Sequence, residues 1–186
     1  RLLPRMDFGK HIPYRYKTLV AVPTMLTGKE GIDDLMESLE VRYLANNQDN
    51  LFFGLLTDFT DAPSEYMPDD EKILGLASAG IAALNDKYPL EEGQRFYLFH
   101  RSRTWNPKEG VWMGYERKRG KLAALNAALR GDASHFSHIV GDVEKLGNIK
   151  YVITLDTDTQ LPRETAWQMI AAMAHPLNVA VYDDSR

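Results

Sequence analysis

The stretch "YVITLDTDTQLPR", residues 151–163, decides how the chain is interpreted. Residues of β-forming character lead directly into Asp156 and Asp158, which are separated by one threonine. Such a run predicts a buried strand that ends in carboxylates. Because side chains alternate along a strand, the two aspartates would project to the same side if the extended geometry continued. Their Cα atoms would then lie roughly 6.5 Å apart.

The rest of the chain alternates strand-like and helix-like segments. Apolar runs predict strands over residues 17–22, 51–57, 95–100 and 151–156, the first of which stops at Pro23. Helical periodicity predicts helices over residues 31–46, 69–87, 121–130 and 163–174, with Gly131 ending the third. A long polar loop is expected between the third strand and Gly120. This order predicts an α/β fold with an open, mostly parallel sheet covered by helices on both faces.

Composition restricts the classes of protein that fit. The 186 residues are 44% hydrophobic, which suits one sizeable core. The net charge of -4 gives no general reason to expect nucleic acid or an anionic membrane as a partner, and the absence of cysteine excludes disulfides and thiolate metal sites. No run of 18 apolar residues occurs, so we expect no membrane contact through these residues themselves. The chain starts with Arg and stops just after an apolar run, so we expect it to be part of something longer.

The aspartate pair has a metal-binding interpretation and a structural one. In open parallel sheets, ligands bind at the carboxyl ends of the strands. Two carboxylates held together there repel each other, and a divalent cation that bridges to substrate phosphates would remove that cost. Hard oxygen ligands favour Mg²⁺ or Mn²⁺. The alternative is a solvated turn in which Asp158 or Thr159 caps the helix that begins near Arg163.

A cluster of cations precedes the third helix. The segment "ERKRGKLAALN", residues 116–126, places four cations within five positions at the start of that helix, including Arg119 and Lys121. Helix N-termini and nearby cations favour anions. The spacing does not match a phosphate-binding P-loop, and one basic patch in an acidic domain is weak support for nucleic acid. Carboxylates for a metal and cations for a diphosphate therefore indicate a nucleotide-bound donor.

Three segments carry a resemblance to a known family. These are "LVAVPTML" (19–26), "HRSRTWNPKEGVWMGYERKRGKLAALN" (100–126) and "YVITLDTDTQLPR" (151–163). They resemble the glycosyltransferase domain of cyclic β-1,2-glucan synthases, which are large bacterial inner-membrane proteins. More distantly, the chain resembles processive inverting transferases of the cellulose-synthase and chitin-synthase kind. The resemblance implies a GT-A fold that binds UDP-glucose.

The resemblance also implies roles for individual residues. Thr24 would sit beside the uridine, and Asp58 would face the uracil. Lys121, with Arg119 nearby, would face the diphosphate. From the residues alone, Asp58 is either a hydrogen-bond acceptor for a base or ribose, or an ordinary loop or capping aspartate.

The resemblance also implies roles for the D-x-D segment and for the tryptophans in the polar loop before Gly120. Asp156 and Asp158 would hold a Mg²⁺ or Mn²⁺ ion, and Asp156 would also contact the donor. Trp105 and Trp112 would either stack on sugar faces or pack onto the domain. Inverting transfer needs a general base, which the family carries in a T-E-D-like motif followed by Q-x-x-R-W. Neither motif occurs here, so we expect no catalytic base in these residues.

These implications give a domain assignment. Residues 1–15 would be an N-terminal connector, and residues 16–186 the donor-binding part of a GT-A domain truncated at its C-terminal end. The chain would be the UDP-glucose-binding part of an inverting, metal-dependent glucosyltransferase, inactive in isolation. Its partners would be the nucleotide sugar, the growing glucan and other domains of a longer chain. It would lie at the cytoplasmic face of the bacterial inner membrane, as a soluble domain of a larger membrane protein.

Two other functions stay open. A sugar-phosphate nucleotidyltransferase also combines a sheet with a carboxylate-bound metal. It would usually carry a Gly-rich loop with Arg or Lys directly after the first strand, which "PTMLTGKEG" resembles only weakly. A regulatory or assembly domain with a degenerate donor site is the other alternative.

Overall fold

A computed structural model describes residues 3–180 of the chain. Its strands are β1 (Thr18–Leu26), β2 (Leu51–Phe59), β3 (Phe96–Arg101), β4 (Thr104–Asn106), β5 (Val111–Met113), β6 (His138–Val140) and β7 (Tyr151–Thr154). Its α-helices are α1 (Lys29–Ala45), α2 (Asp70–Lys87), α3 (Arg117–Ala128) and α4 (Thr165–Met173). Short 3₁₀ turns lie at Tyr14–Tyr16, Val143–Leu146 and Pro176–Asn178. The apolar run at residues 179–186 lies largely outside the described residues.

The main sheet has the strand order β6-β3-β2-β1-β7. Its four strands β3, β2, β1 and β7 run parallel, and β6 adds an antiparallel edge. The longest pairing joins β1 to β2 over nine residues, from Thr18 opposite Leu51 to Leu26 opposite Phe59. This topology confirms the predicted α/β fold with an open, mostly parallel sheet. It is compatible with a GT-A type domain.

Helices cover both faces of the sheet, as predicted. One core lies under α1, α2 and α4, and the other lies under α3. Along β2, Phe53 and Leu55 face the first core, whereas Phe52 and Leu56 face the second. Both faces of this strand are therefore buried, which explains why its sequence is a continuous apolar run. Each such side chain stabilises the fold by about 1.5–3 kcal/mol relative to an exposed position.

Pro23 does not end β1, contrary to the prediction. The strand continues through it to Leu26, paired with β2. The neighbour on the other side, β7, pairs only with residues 18–21, and beyond it the Pro23 carbonyl accepts a hydrogen bond from the Thr157 hydroxyl at 3.5 Å. Proline is tolerated here because no strand lies opposite its missing N–H.

The predicted polar loop between β3 and α3 is instead a structured hairpin. Strands β4 and β5 pair antiparallel within it, and α3 begins at Arg117, four residues earlier than predicted. Strands of three residues are too short to show a sequence period, which is also why β6 was missed. α3 ends at Ala128, two residues before the predicted end, and Gly131 closes the turn that follows it: Gly131 has φ +100°, and the N–H groups of Gly131 and Asp132 bond the carbonyls of Ala128 and Ala127.

The segment before β1 packs against the body of the domain. Ile12 is buried, and the Phe8 ring lies edge-on to Trp167 of α4 at 5.9 Å between centroids. Across residues 3–180, no helix combines the length and apolar character needed to cross a membrane.

His100 is an unusual buried group in β3. Its Nδ1 lies 2.8 Å from the Thr57 hydroxyl, its ring contacts Phe59, and its Nε2 has no hydrogen-bond partner within residues 3–180. Burial lowers the pKa of His100 to about 4, although the Asp58 and Asp70 carboxylates act in the opposite direction. The folded protein therefore holds this imidazole neutral.

We expect His100 to make stability depend on pH. Between pH 6.5 and 4 the unfolded chain protonates this histidine while the folded chain does not, so the free energy of unfolding falls as the pH falls. This loss of the free energy of unfolding amounts to about 3 kcal/mol. In His100→Asn most of the loss should disappear, because asparagine does not titrate and still offers an acceptor near Thr57. Urea unfolding at several pH values measures this difference between the two proteins.

The exposed His135 supplies the control for this measurement. His135→Asn should retain the loss of stability between pH 6.5 and 4, because His100 is still present. If His100→Asn and His135→Asn showed the same pH dependence, the imidazole of His100 would not be held neutral in the folded state.

Candidate functional site

A cavity of about 370 Å³ opens at the carboxyl ends of β1 and β2. We call it the strand-end cavity; it is lined by Pro23, Thr24, Met25, Thr27, Asp58, Phe59, Asp61, Gly114, Arg117, Lys118, Lys121 and Thr157. Three of the residues predicted to bind the donor therefore lie together in one place: Thr24, Asp58 and Lys121. The parallel sheet brings them together because β1 and β2 end side by side and α3 packs across those ends.

Asp58 is the buried centre of this cavity. It is the penultimate residue of β2 and is 3% exposed. Arg101, at the end of β3, donates two hydrogen bonds to its carboxylate, at 2.8 and 2.9 Å, and Lys121 Nζ lies 3.1 Å away. Gly114 stands directly against the Asp58 carboxylate, where a Cβ atom would collide with it. The site thus holds one buried carboxylate between two buried cations.

Lys121 points into the domain. Its Nζ donates a hydrogen bond to the carbonyl of Thr24 at 2.5 Å, in addition to its ion pair with Asp58. Burial lowers the pKa of Lys121, and the adjacent Asp58 carboxylate opposes that shift. Lys121 therefore joins α3 to the ends of both β1 and β2.

The first turn of α3 carries two further cations that face the strand ends. Arg117 pairs with Asp61 at 2.9 Å, and Lys118 forms an ion pair with Asp156. Arg119, in contrast, has an 85% exposed side chain and pairs with Glu116 at 3.5 Å. Arg119 is the residue predicted from the sequence to lie near the diphosphate, whereas no role was predicted for Arg117 or Lys118.

Helical spacing could have distinguished these residues. Position 121 follows 117 by four residues and 118 by three, so both lie beside 121 on one side of a helix, whereas 119 lies on another side. The chain also enters α3 through an unusual backbone, because Glu116 and Arg117 have φ values of 49° and 45°. Two consecutive non-glycine residues in this left-handed region cost about 1–3 kcal/mol each, and such strain clusters at functional sites.

The D-x-D segment forms a turn rather than a continued strand. β7 ends at Thr154, and the Thr159 N–H bonds the Asp156 carbonyl at 3.0 Å. The expectation of two side chains aligned by extended geometry is therefore wrong. Both carboxylates are exposed; Asp156 reaches Lys118, whereas Asp158 lines a groove beside α1.

The capping alternative for this segment is wrong as well. α4 begins at Thr165, and the N–H of Ala166 in its first turn is bonded at 3.0 Å by the side chain of Asn46. Asn46 also donates to the carbonyl of Leu161 at 3.0 Å. Neither Asp158 nor Thr159 is needed as a cap, which leaves their side chains available to a ligand.

Arg42 of α1 holds the D-x-D turn in place, a role that the sequence analysis missed. It is 4% exposed, and its Nη2 donates to the carbonyls of Thr157 and Thr159 at 2.8 and 2.7 Å, while Nη1 donates to Ser38 at 2.6 Å. Burial lowers the pKa of Arg42. Its neighbours here are neutral oxygens, so the guanidinium acts as a fork of donors that fixes the turn.

Asp156 and Asp158 are the side chains that could contribute to a metal site. Among residues 3–180, no group of three or more His, Cys, Asp or Glu side chains is arranged to hold a metal. Mg²⁺ and Mn²⁺ are commonly held by one or two carboxylates, with substrate phosphates and water supplying the other ligands. Asp156 and Asp158 provide the right oxygen chemistry, although Asp156 must first part from Lys118.

Comparison with known proteins gives one relevant similarity. The chain matches no protein-family profile. It is 42% identical over 172 residues to the cyclic beta-(1,2)-glucan synthase NdvB of Rhizobium meliloti (strain 1021). The matched region covers 92% of this chain and 6% of that protein. The chain is therefore related to NdvB and spans a small part of its length.

We expect Arg42→Lys to lower the free energy of unfolding by about 1–3 kcal/mol. Lysine keeps the charge but cannot reach the carbonyls of Thr157 and Thr159 and the Ser38 hydroxyl together. Hydrogen exchange of the amides between 156 and 161 should also become faster. Arg119→Lys is the matched control and should change neither quantity; equal effects of the two substitutions would mean that Arg42 does not hold the turn.

Proposed function

We propose that this chain is the donor-binding part of a glycosyltransferase that builds cyclic β-1,2-glucan from UDP-glucose. The observation that carries the proposal is the first turn of α3, where Arg117, Lys118 and Lys121 converge on the carboxylates at the strand ends. This arrangement offers cations to a diphosphate and carboxylates to a metal at the edge where parallel sheets bind ligands. The 42% identity to NdvB supports glucan synthesis as the context.

The donor would enter the strand-end cavity with its uridine beside Thr24. A carboxylate has about four acceptor positions, and Asp58 receives three donor groups from Arg101 and Lys121. One position is left for the N–H of uracil. The same cations fix the orientation of the carboxylate, which favours recognition of a planar base.

The diphosphate would lie along the first turn of α3. Lys118 is half exposed and lines the strand-end cavity, as does Arg117, so both can turn to phosphate oxygens with little loss of stability. Arg119 would stay at the rim, and Lys121 would act mainly by holding Asp58 and Thr24. Lys118 and Arg117 would stabilise the charge that develops on the departing UDP.

Asp156 and Asp158 would hold a Mg²⁺ or Mn²⁺ ion together with the phosphates. A bound divalent cation would neutralise negative charge on the leaving diphosphate. The chain's own contribution is the turn fixed by Arg42, which keeps both carboxylates exposed and places Thr157, between them, in the lining of the strand-end cavity. We propose that the general base of an inverting reaction comes from other parts of a longer protein, which would also contact the growing glucan at the cytoplasmic face of the inner membrane.

The loop after β1 gives a reason to prefer this function over a nucleotidyltransferase. In the latter, a basic Gly-rich loop at this position would contact phosphates. Here Lys29 pairs with Asp33 at 2.9 Å within α1, and neither residue lines the strand-end cavity. A non-catalytic domain with a degenerate donor site would differ in not binding UDP.

We expect UDP to bind this chain with a measurable heat in isothermal titration when Mn²⁺ is present. Asp158→Asn should weaken that binding at least tenfold, or about 1.4 kcal/mol, because it removes a charged metal ligand without changing the side-chain shape. Asp86→Asn, an exposed position on α2, is the control. Absence of heat from the parent protein, or equal affinity in Asp158→Asn, would contradict the donor site.

A second experiment uses the ion pair between Lys118 and Asp156. Lys118→Ala should strengthen the binding of Mn²⁺ alone by about twofold to fivefold, because Asp156 loses a competing cation. The same change should weaken the binding of UDP without metal, because a phosphate-facing cation is lost. Arg119→Ala should have neither effect. If Lys118→Ala behaved like Arg119→Ala, Lys118 would not be part of the donor site.

A further inference from the structure

A second cleft lies beside the β4–β5 hairpin. It has a volume of about 580 Å³ and is formed by one strand of the hairpin, its turn and the residues that lead into α3. We call it the hairpin cleft; its lining includes Trp105, Asn106, Lys108, Glu109, Tyr115 and Arg117. Trp105 is 50% exposed and Tyr115 is 64% exposed. Large aromatic faces left open in a cleft of this size are typical of a ligand site.

The β4–β5 hairpin is held in place by ring packing across its strands and by backbone hydrogen bonds to Ala62. Trp105 pairs with Trp112 across the two strands, and their ring centroids are 5.9 Å apart. The N–H and carbonyl of Trp112 both bond the backbone of Ala62, each at 2.9 Å, which fastens the hairpin to the segment after β2. The ring of Trp105 is therefore positioned by its neighbours and still half open to solvent.

The charges that line the hairpin cleft favour a neutral ligand over an anion. Lys108 and Arg117 are balanced by Glu109 and Glu116, and Arg117 pairs with Glu109 at 3.2 Å. The strand-end cavity, in contrast, is lined by three cations and two carboxylates. An anion would gain little in the hairpin cleft, whereas polar side chains beside aromatic rings suit a neutral molecule with many hydroxyl groups.

The hairpin cleft continues in two directions. It shares Thr104, Tyr115 and Glu116 with a neighbouring cleft of about 370 Å³ that also includes Gly120 and His135. It shares Arg117 with the strand-end cavity. The ligand surface is therefore elongated, with Tyr115 between two clefts and Arg117 at the border of the donor cavity.

We propose that the hairpin cleft binds a neutral oligosaccharide, with a sugar ring stacked on Trp105 and a second ring near Tyr115. The apolar C–H face of a pyranose would cover an aromatic ring, and its hydroxyl groups would bond to the carboxylates of Glu109 and Glu116. This inference rests on the proposed function: with the donor in the strand-end cavity, the cleft bordered by Arg117 holds part of the glucan acceptor.

The test is a titration of this chain with a β-1,2-linked glucose tetrasaccharide, followed by isothermal titration and by amide chemical shifts. We expect shifts concentrated between residues 102 and 120. Trp105→Ala should weaken binding at least tenfold, and Tyr115→Ala, on a different element, should also weaken it. Tyr14→Ala, another exposed aromatic far from the cleft, should leave the affinity unchanged. A β-1,4-linked glucose tetrasaccharide serves as a second probe.

Each outcome bears on the inference. Binding of either tetrasaccharide that is lost in Trp105→Ala, while both variants keep the parent's circular dichroism and UDP affinity, supports the hairpin cleft as a saccharide site. No binding of either probe in the presence of UDP and Mn²⁺, or shifts confined to other regions, overturns it. Saccharide binding without UDP binding would refute the donor site but still support the hairpin cleft as a saccharide site. The two proposals can therefore be tested independently of each other.

Discussion

The buried carboxylate of Asp58 and its two cations are the interaction on which the candidate site depends. Arg101 comes from β3 and Lys121 from α3, so one carboxylate on β2 joins three elements. Lys121 extends the connection to β1 through the Thr24 carbonyl. Removing one partner from such a buried group leaves an uncompensated charge and costs about 3–5 kcal/mol. The position of α3 over the strand ends, and hence the shape of the strand-end cavity, follows from this arrangement.

A second buried arginine, Arg42, holds the turn that carries Asp156 and Asp158. Arg42 lies in the last turn of α1 and Asn46 directly follows that helix, and both direct their side chains to backbone groups between 156 and 166. The turn that carries Asp156 and Asp158 is therefore held by these two side chains in addition to its own hydrogen bond between Thr159 and Asp156. Because Arg42 and Asn46 bond backbone groups, the two aspartate side chains stay exposed.

The first turn of α3 links the two proposed ligand surfaces. Lys118 faces Asp156, whereas Arg117 stands between Asp61 and Glu109, at the border of the hairpin cleft. A transferase must place a charged donor next to a neutral acceptor. The contrast between a cavity rich in cations and a charge-balanced aromatic cleft, joined at one arginine, matches that need. The strained backbone of Glu116 and Arg117 lies at this junction.

The sequence by itself determined the class of fold, because continuous apolar runs alternating with helical patterns leave few solutions other than a covered parallel sheet. It also placed Thr24 and Asp58 at one edge, since parallel strands end together, whereas the role of Lys121 at that edge came from the family resemblance. The short hairpin strands carry no detectable period, so only the tertiary structure revealed them. The tertiary structure alone decided which cations face the site and which residues fix the acidic turn. Those choices depend on packing angles and on hydrogen bonds between residues more than a hundred positions apart, such as Arg42 with Thr159.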